Sequence, residues 1–278
     1  VITSSRSAQS VSVLDAFTGV TRAWAPIPAG DCPPRIDGQG GAPTLADVDG
    51  DCVPEIGVAG CRRYAFFGWA PGPPEQLVLR WESPIDDATS RFTSSAIFDL
   101  DADGTSEVLY NDQRFFRIYD AVTGAVEHQL ANSTSTLAEF PTVADCDGDL
   151  RAEVVLSAND YTYCCDAGVR VVHDDAVPWA FAPTLFNQHA FHVTNVLPDG
   201  RIPRREEASW MRYNSYRVQG PPVRSPQGPV LSGIPADESA PCDAIPSAAS
   251  PTAQGGCGES PSVTLSEERV GGACGELR

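Results

Sequence analysis

Three stretches of this chain carry the same acidic loop, and that repetition limits the folds open to it more than any other feature. ADVDGDCVPEIGVA holds Asp47, Asp49, Asp51 and Glu55 at loop positions one, three, five and nine. FDLDADGTSEVLYN repeats the pattern with Asp99, Asp101, Asp103 and Glu107, and ADCDGDLRAEVVLSA with Asp145, Asp147, Asp149 and Glu153. The first aspartates are fifty-two and then forty-six residues apart. A period in this range belongs to propeller blades or a similar array of one supersecondary unit. Alternate acids on a tight turn aim their oxygens at one centre, and four clustered carboxylates repel one another unless a cation sits between them. Calcium, a hard ion taking six to eight oxygen ligands, suits such a loop. Gly50, Gly104 and Gly148 supply the positive φ that lets the backbone wrap an ion.

An EF-hand needs a bidentate Glu at position twelve and flanking helices. Here position twelve is Val58, Tyr110 or Leu156, and a short apolar run follows each loop. Such runs read as strands, so each loop joins two strands. The other reading of the loops is three solvated turns, since Asp and Gly are turn residues anyway. All twelve carboxylates are therefore candidate metal ligands, for about three Ca2+ per chain.

APTLADVDGDCVPEI, SSAIFDLDADGTSEV and FPTVADCDGDLRAEV resemble the FG-GAP and VCBS repeat family, also found in the head of integrin α chains. The signature is a small apolar strand, an aspartate loop of the D-x-D-x-D-G or D-x-D-G-D type, a further acid and a β-run. The resemblance spans about residues 38 to 180. It implies an all-β fold of propeller blades with one structural calcium in each such loop. It implies extracellular adhesion or ligand binding more often than catalysis.

The blades run from 38 to 182. The first takes about 41 to 83, the second 93 to 130 and the third 140 to 180, each with four short strands as a blade requires. The polar ANSTST between the second and third reads as a flexible gap, and its Asn132 opens a formal glycosylation sequon. Upstream, Asp15-Ala-Phe-Thr-Gly19 matches Asp120-Ala-Val-Thr-Gly124 position for position. Residues 1–37 thus look like the outer hairpin of a partial blade, although a plain hairpin turn would also serve. Three whole blades and a part do not close a propeller of about four to eight. An open array exposes strand edges, so further blades are expected on a longer polypeptide or a partner chain.

Residues 183–224 break the repeat. They resemble a segment that closes the repeat region in some bacterial surface proteins, W-N-Q-H-x-Y-H-x-T-N and then W-x-x-x-N-x-x-R. Phe186 and Phe191 replace aromatics of the first half, while Trp210, Asn214 and Arg217 match the second. Three readings apply here. One is a metal or catalytic site of His189 and His192 with Asp199 or Glu206, which strand spacing disfavours because residues three apart face opposite ways. Another is a glycan site of Trp210, Tyr213, Asn214 and Tyr216. The third is a structural closure. Residues 225–261 have the Pro, Ser and Gly content of a linker. Residues 262–278 alternate like a first strand and resemble the opening of a bacterial Ig-like adhesion module.

The net charge of −18, from 37 acids against 19 bases, makes nucleic acid an unlikely partner, since its binding needs a basic face. Every base is Arg, which with abundant Ala, Gly and Pro fits GC-rich bacterial coding. No apolar run reaches the length of a membrane span. Nine cysteines without zinc-type spacing point to disulfides in an oxidising, extracellular compartment. The pairings considered are Cys52 with Cys61, Cys146 with Cys164 or Cys165, and Cys242 with Cys257. Nine is odd, and Cys274 is expected to find its partner in the remainder of the Ig-like module. The chain opens in mid-pattern, as a processed or truncated product would. The expected function is a secreted calcium-binding repeat protein for adhesion, ligand binding or surface assembly. Its partners are an extracellular protein or glycan, further copies of itself, or the rest of a longer chain. The alternatives are a carbohydrate-active enzyme of the polysaccharide lyase type and a structural filament subunit. No nucleophile motif or separate carboxylate pair supports catalysis.

Overall fold

The computed structural model describes residues 2–5, 9–28, 30–31, 40–49, 51, 53–88, 92–163, 167–209, 215–217, 230–233 and 252–254. Every element named among them is a strand. The chain divides into a unit of Val1–Arg224 and a unit of Ser225–Arg278.

The first unit is a series of antiparallel sheets in chain order. Sheet I contains β1 (Ile2–Ser5), β2 (Ser10–Leu14) and β3 (Thr21–Pro26). Sheet II is the meander β4 (Thr44–Ala46), β5 (Glu55–Ala59), β6 (Arg63–Ala70) and β7 (Gln76–Pro84). Sheet III repeats it with β8 (Ala96–Phe98), β9 (Glu107–Asn111), β10 (Phe115–Asp120) and β11 (Val126–Ala131). Sheet IV has β12 (Thr142–Ala144), β13 (Glu153–Ala158) and β14 (Gly168–Val172). A short strand, β15 (Ser215–Tyr216), pairs with β4 and adds a fifth member to sheet II. Burial falls from the first strand of a sheet to the last: β8 and β9 are wholly buried, while β11 is almost wholly exposed.

Strict alternation along these strands makes three separate cores. Ile56 and Val58 of β5 look back to sheet I and pack with Val11, Val13, Ala23 and Ala25. Val108 and Tyr110 of β9 look back to sheet II and meet Tyr64, Phe66 and Trp81. Their neighbour Leu109 looks forward, with Phe116 and Ile118, onto Val154, Leu156 and Trp179 of the sheet IV region. Side chains of period two must do this in a pleated strand. A fully buried Phe66 or Phe116 contributes about 1.5–3 kcal/mol each. Each middle sheet therefore has a face turned back to its predecessor and a leading face turned to its successor. The first strands β4, β8 and β12 lie next to one another in turn.

The D-x-x-T-G turns are alike in detail. Asp15 Oδ1 accepts from the Thr18 amide and hydroxyl at 2.8 and 2.9 Å, and Asp120 Oδ1 from those of Thr123 at 2.5 and 2.6 Å. Gly19 and Gly124 follow at φ +71° and +74°. At Gly124 a Cβ would also lie 2.5 Å from the Trp81 ring, so that turn admits no side chain. The first hairpin is joined by a further strand, β1, in register with β2 from Ile2↔Val13 to Ser5↔Ser10.

Two expectations fail. The stretch VPWAFA does not form a fourth strand beside β14. Pro178 lies within it and Pro183 follows it, and it turns inward instead: Trp179 is buried in the core between sheets III and IV, and the Ala180 amide donates to Leu100 O at 2.7 Å. Its one isolated bridge among the described residues, Arg151↔Phe181, is to the end of the acidic loop before β13 and not to β14. Nor is ANSTST a flexible gap, because Asn132, Ser133, Thr134 and Thr136 are at most 1% exposed. Asn132 Nδ2 donates to Asn111 Oδ1 and Ser157 O, both at 2.9 Å, which tethers sheet III to sheet IV. A side chain so enclosed in the folded chain is no glycan acceptor.

In the second unit β16 (Val230–Ser232) pairs antiparallel with β17 (Thr252–Gln254) inside the stretch read as linker. Residues 262–278, read as an Ig-like start, lie outside the described residues.

Candidate metal centres

Each acidic loop joins the first two strands of its sheet. The hairpin ladder closes on the loop glutamate: Ala46↔Glu55, Phe98↔Glu107 and Ala144↔Glu153 are the last pairs. That register plants each glutamate at the strand end, buried, facing the aspartates that leave the other strand. Its Oε2 accepts the amide of loop position two: Val48 at 3.2 Å, Leu100 at 2.6 Å and Cys146 at 2.6 Å.

The loops gather their acids alike. Asp47, Asp49 and Glu55 bring one oxygen each within 4.8 Å of one another, as do Asp99, Asp101 and Glu107, and Asp145, Asp147 and Glu153. The fourth acid of each loop is not in the group. Asp51, Asp103 and Asp149 each accept the amide two residues on, from Val53 at 2.8 Å, Thr105 at 2.6 Å and Arg151 at 2.8 Å. These aspartates shape the turn in this geometry. Gly104 and Gly148 sit at φ +90° and +88° and hand their amides to Asp99 Oδ2 and Asp145 Oδ1. Gly50 lies outside the described residues.

The electrostatics disfavour the ionised carboxylates when no cation is near. Burial, with the Asp49 and Asp51 charges behind it, pushes the Glu55 carboxyl up to about 7. Burial, helped by Asp101, Glu127 and Asp99, pushes Glu107 up to about 8. Asp99 is raised as well, first by burial. Glu55 Oε1 is buried with no hydrogen-bond partner among the described residues. The donor set is oxygen only, which suits a hard divalent cation and offers nothing to a soft one. The three triads can thus hold metal ions. The first has a feature with no signal in the linear pattern: Arg80 Nη2 lies 3.8 Å from Glu55 Oε1 and 4.0 Å from Asp49 Oδ2.

Three comparisons bear on this arrangement. No family model matches the chain, and no curated protein matches it. Among solved structures it is similar to the biofilm matrix protein Bap1 of V. cholerae. That likeness has 32% identity and a TM-score of 0.53, over 59% of this chain and 27% of that one. A second match is the C-terminal domain of PilY1 from Pseudomonas aeruginosa, at 15% identity and a TM-score of 0.38, over 66% of this chain and 47% of that one. The chain spans about a quarter of the Bap1 structure and under half of the PilY1 one.

The histidines of the closing segment do not converge on a metal. His189 Nδ1 lies 3.2 Å from Arg217 Nη2, with its ring edge-on to Phe140 at 4.7 Å. Burial and then the Arg217 charge hold its pKa below the usual range. His192 Nε2 contacts Glu206 Oε1 at 2.5 Å instead, and Thr194 donates to the same oxygen at 2.9 Å. Asp199 is taken up by Arg201 at 2.7 Å. Arg217 is 6% exposed and lies over the Phe140 and Tyr216 rings. Phe140 precedes sheet IV and Tyr216 belongs to the strand on sheet II, so this cluster straps the two together. Of the residues read as a glycan site, Tyr216 is half-buried beside His192, and Trp210, Tyr213 and Asn214 lie outside the described residues.

Cys146 is a free, exposed thiol, which overturns its pairing with Cys164 or Cys165. It sits between two triad aspartates, where the loop turns its side chain outward. Cys61 is disulfide-bonded. Cys52, Cys164, Cys165, Cys242, Cys257 and Cys274 lie outside the described residues. No helix among the described residues is long and apolar enough to cross a membrane.

Proposed function

We propose that this chain is a calcium-stiffened repeat module of an extracellular matrix or adhesion protein, its sheets being propeller blades of the FG-GAP/VCBS type. The observation that carries the reading is the recurrence of one acid triad around a buried glutamate at the same register position of three successive sheets. A single acidic turn has many explanations. Three that each bury a glutamate against two aspartates share one, a divalent cation that offsets the repulsion and locks the first hairpin of each blade. The likeness to a biofilm matrix protein, above 30% identity, supports an extracellular setting. Calcium is the ion proposed, because the ligands are carboxylates on flexible turns. Binding is to an extracellular protein or glycan, and the ions are structural.

The test is thermal melting of the chelated protein with calcium added back, together with ion counting. The expected result is a large upward shift and three ions per chain. Asp101→Ala should remove one ion and part of the shift. Unchanged stoichiometry in that variant, or no ion bound by the wild type, would sink the assignment.

A further inference from the structure

Sheet IV is the last of the stacked sheets among the described residues, yet its leading face keeps the form of an interface. The position two residues after the loop glutamate is Gly57 in sheet II, Leu109 in sheet III and Val155 in sheet IV. Phe66 pairs across from Gly57, Ile118 from Leu109 and Val171 from Val155. One step outward, Tyr64, Phe116 and Val169 are equivalent in the same registers. Loop position two, which is Val48, Leu100 or Cys146, also points to the leading side, since Val48 and Leu100 lie in the two forward cores. Tyr64, Phe66, Phe116 and Ile118 are 0–2% exposed, whereas Val169 is 72% and Val171 53% exposed. The edge strand of sheet IV thus leaves aliphatic side chains in water at the positions that its predecessors bury.

The other end of the series shows the opposite half of the same kind of contact. In sheet I, Ala23 and Ala25 face sheet II, so Trp24 between them points backward, paired with Ser12 and 64% exposed. Every internal interface joins a leading face to a backward one, and the described sheets leave one of each uncovered. We propose that the leading face of sheet IV, around Val155, Val169 and Val171, docks onto the backward face of sheet I, around Ser12 and Trp24, of a second copy of this chain. The contact continues the series of sheets, carries no charge on its aliphatic half, and is head-to-tail. Such an interface closes into a ring if the rotation permits and otherwise extends. Two copies joined at both ends double the four stacked sheets, which reaches the upper limit of about eight blades in propellers. The inference deepens the surface-assembly reading above and rests on it.

The experiment is sedimentation and light scattering of the calcium-loaded chain up to about 100 µM, where even a micromolar contact saturates. Wild type should associate with concentration. Val171→Asp should weaken association by at least about tenfold, the loss expected when a charge enters an apolar contact. Trp24→Ser should do the same from the other end, and Val169→Arg, at a more exposed position, provides a second charge variant. Mixing V171D with W24S restores one intact pair of faces and should give a one-to-one dimer and nothing larger. Cys146, on the same face, should react more slowly with a thiol reagent as wild type associates. A wild type that stays monomeric, association indifferent to these variants, or a mixture that stays monomeric overturns the proposal. Each variant should keep the calcium-dependent melt, so failure of the interface and failure of the calcium reading are told apart.

Discussion

Glu107→Gln should raise the melting temperature in chelator and lower it in calcium. Glu107 is 7% exposed, and its Oε2 takes the Leu100 amide at 2.6 Å, a bond that a glutamine oxygen can keep. Burial first, then Asp101, Glu127 and Asp99, pushes its pKa up to about 8 from an ordinary 4.5. The folded, metal-free chain therefore holds a proton that the unfolded chain has released. Stability from this group is complete below about 4.5, falls as pH rises from there, and is fully lost above about 8. At pH 7.5 the unscreened cost is about 4 kcal/mol, and screening by water at the exposed acidic loop beside it reduces it to roughly 2 kcal/mol. Glutamine removes that cost. For a unit of this size, about 2–4 °C accompany each kcal/mol, so the chelated variant should melt about 4–8 °C higher at pH 7.5 and no higher at pH 4.5.

Calcium reverses the sign. Each site held at a thousand times its Kd adds about 4.1 kcal/mol to the wild type, about twice what the glutamine gains. The variant has one carboxylate fewer at its second triad and should lose most of that increment, melting several degrees below wild type. Differential scanning calorimetry in EDTA and in calcium, at pH 4.5 and 7.5, checks both signs with one pair of proteins. A shift of the same direction in both media at pH 7.5 would refute the reasoning, because the carboxylate would then be a plain structural acceptor.

Other expectations follow from particular contacts. Arg80→Ala removes a cation 3.8 Å from Glu55 Oε1 and 4.0 Å from Asp49 Oδ2; calcium should bind the first loop more tightly, by about 1 kcal/mol or roughly fivefold, in calorimetric titration. Asp87 is fully buried and accepts from the hydroxyls of Thr93, Tyr110 and Thr136 at 2.8–3.0 Å, so Asp87→Ala should cost about 3 kcal/mol or more in denaturant melts while leaving the ion count unchanged. Gly57→Ala places a Cβ 2.1 Å from the Tyr64 hydroxyl and should destabilise by about 1–3 kcal/mol; an unaffected melt would mean that the core between sheets II and III has more room than its packing indicates.

Much of the fold is legible because its signals are local. The short apolar runs in EIGVA, EVLYN and EVVLSA mark each second strand, and the aspartates and glycine of the loop mark the turn that precedes it. The Asp15 and Asp120 turns could be matched because a carboxylate capping its own turn needs only neighbours in sequence. Within the acidic loops the linear pattern names four acids, but only the hairpin register decides which converge. Position five is drawn off to an amide two residues on, a competition between backbone and ion that spacing does not express. ANSTST reads as solvent-facing by composition, yet sheets III and IV enclose it, and the Asn132 side-chain amide nitrogen and Thr134 hydroxyl donate to Asn111, Ser157 and Asp112 from elsewhere in the chain. VPWAFA has the composition of a strand. The buried site for the Trp179 ring, and two prolines that cannot donate to a ladder, draw it away from β14. Arg80 and Arg217 carry no motif at all. Each matters through what a distant segment places beside it, an acid triad in one case and the rings of Phe140 and Tyr216 in the other. The stack has the same character: exposure of Val169 and Val171 is unremarkable in a single strand and becomes informative only when the equivalent positions of two earlier sheets are found buried. Repetition within one chain thus acts as an internal control, and the departures of its last copy from the first two are where an interface is to be sought.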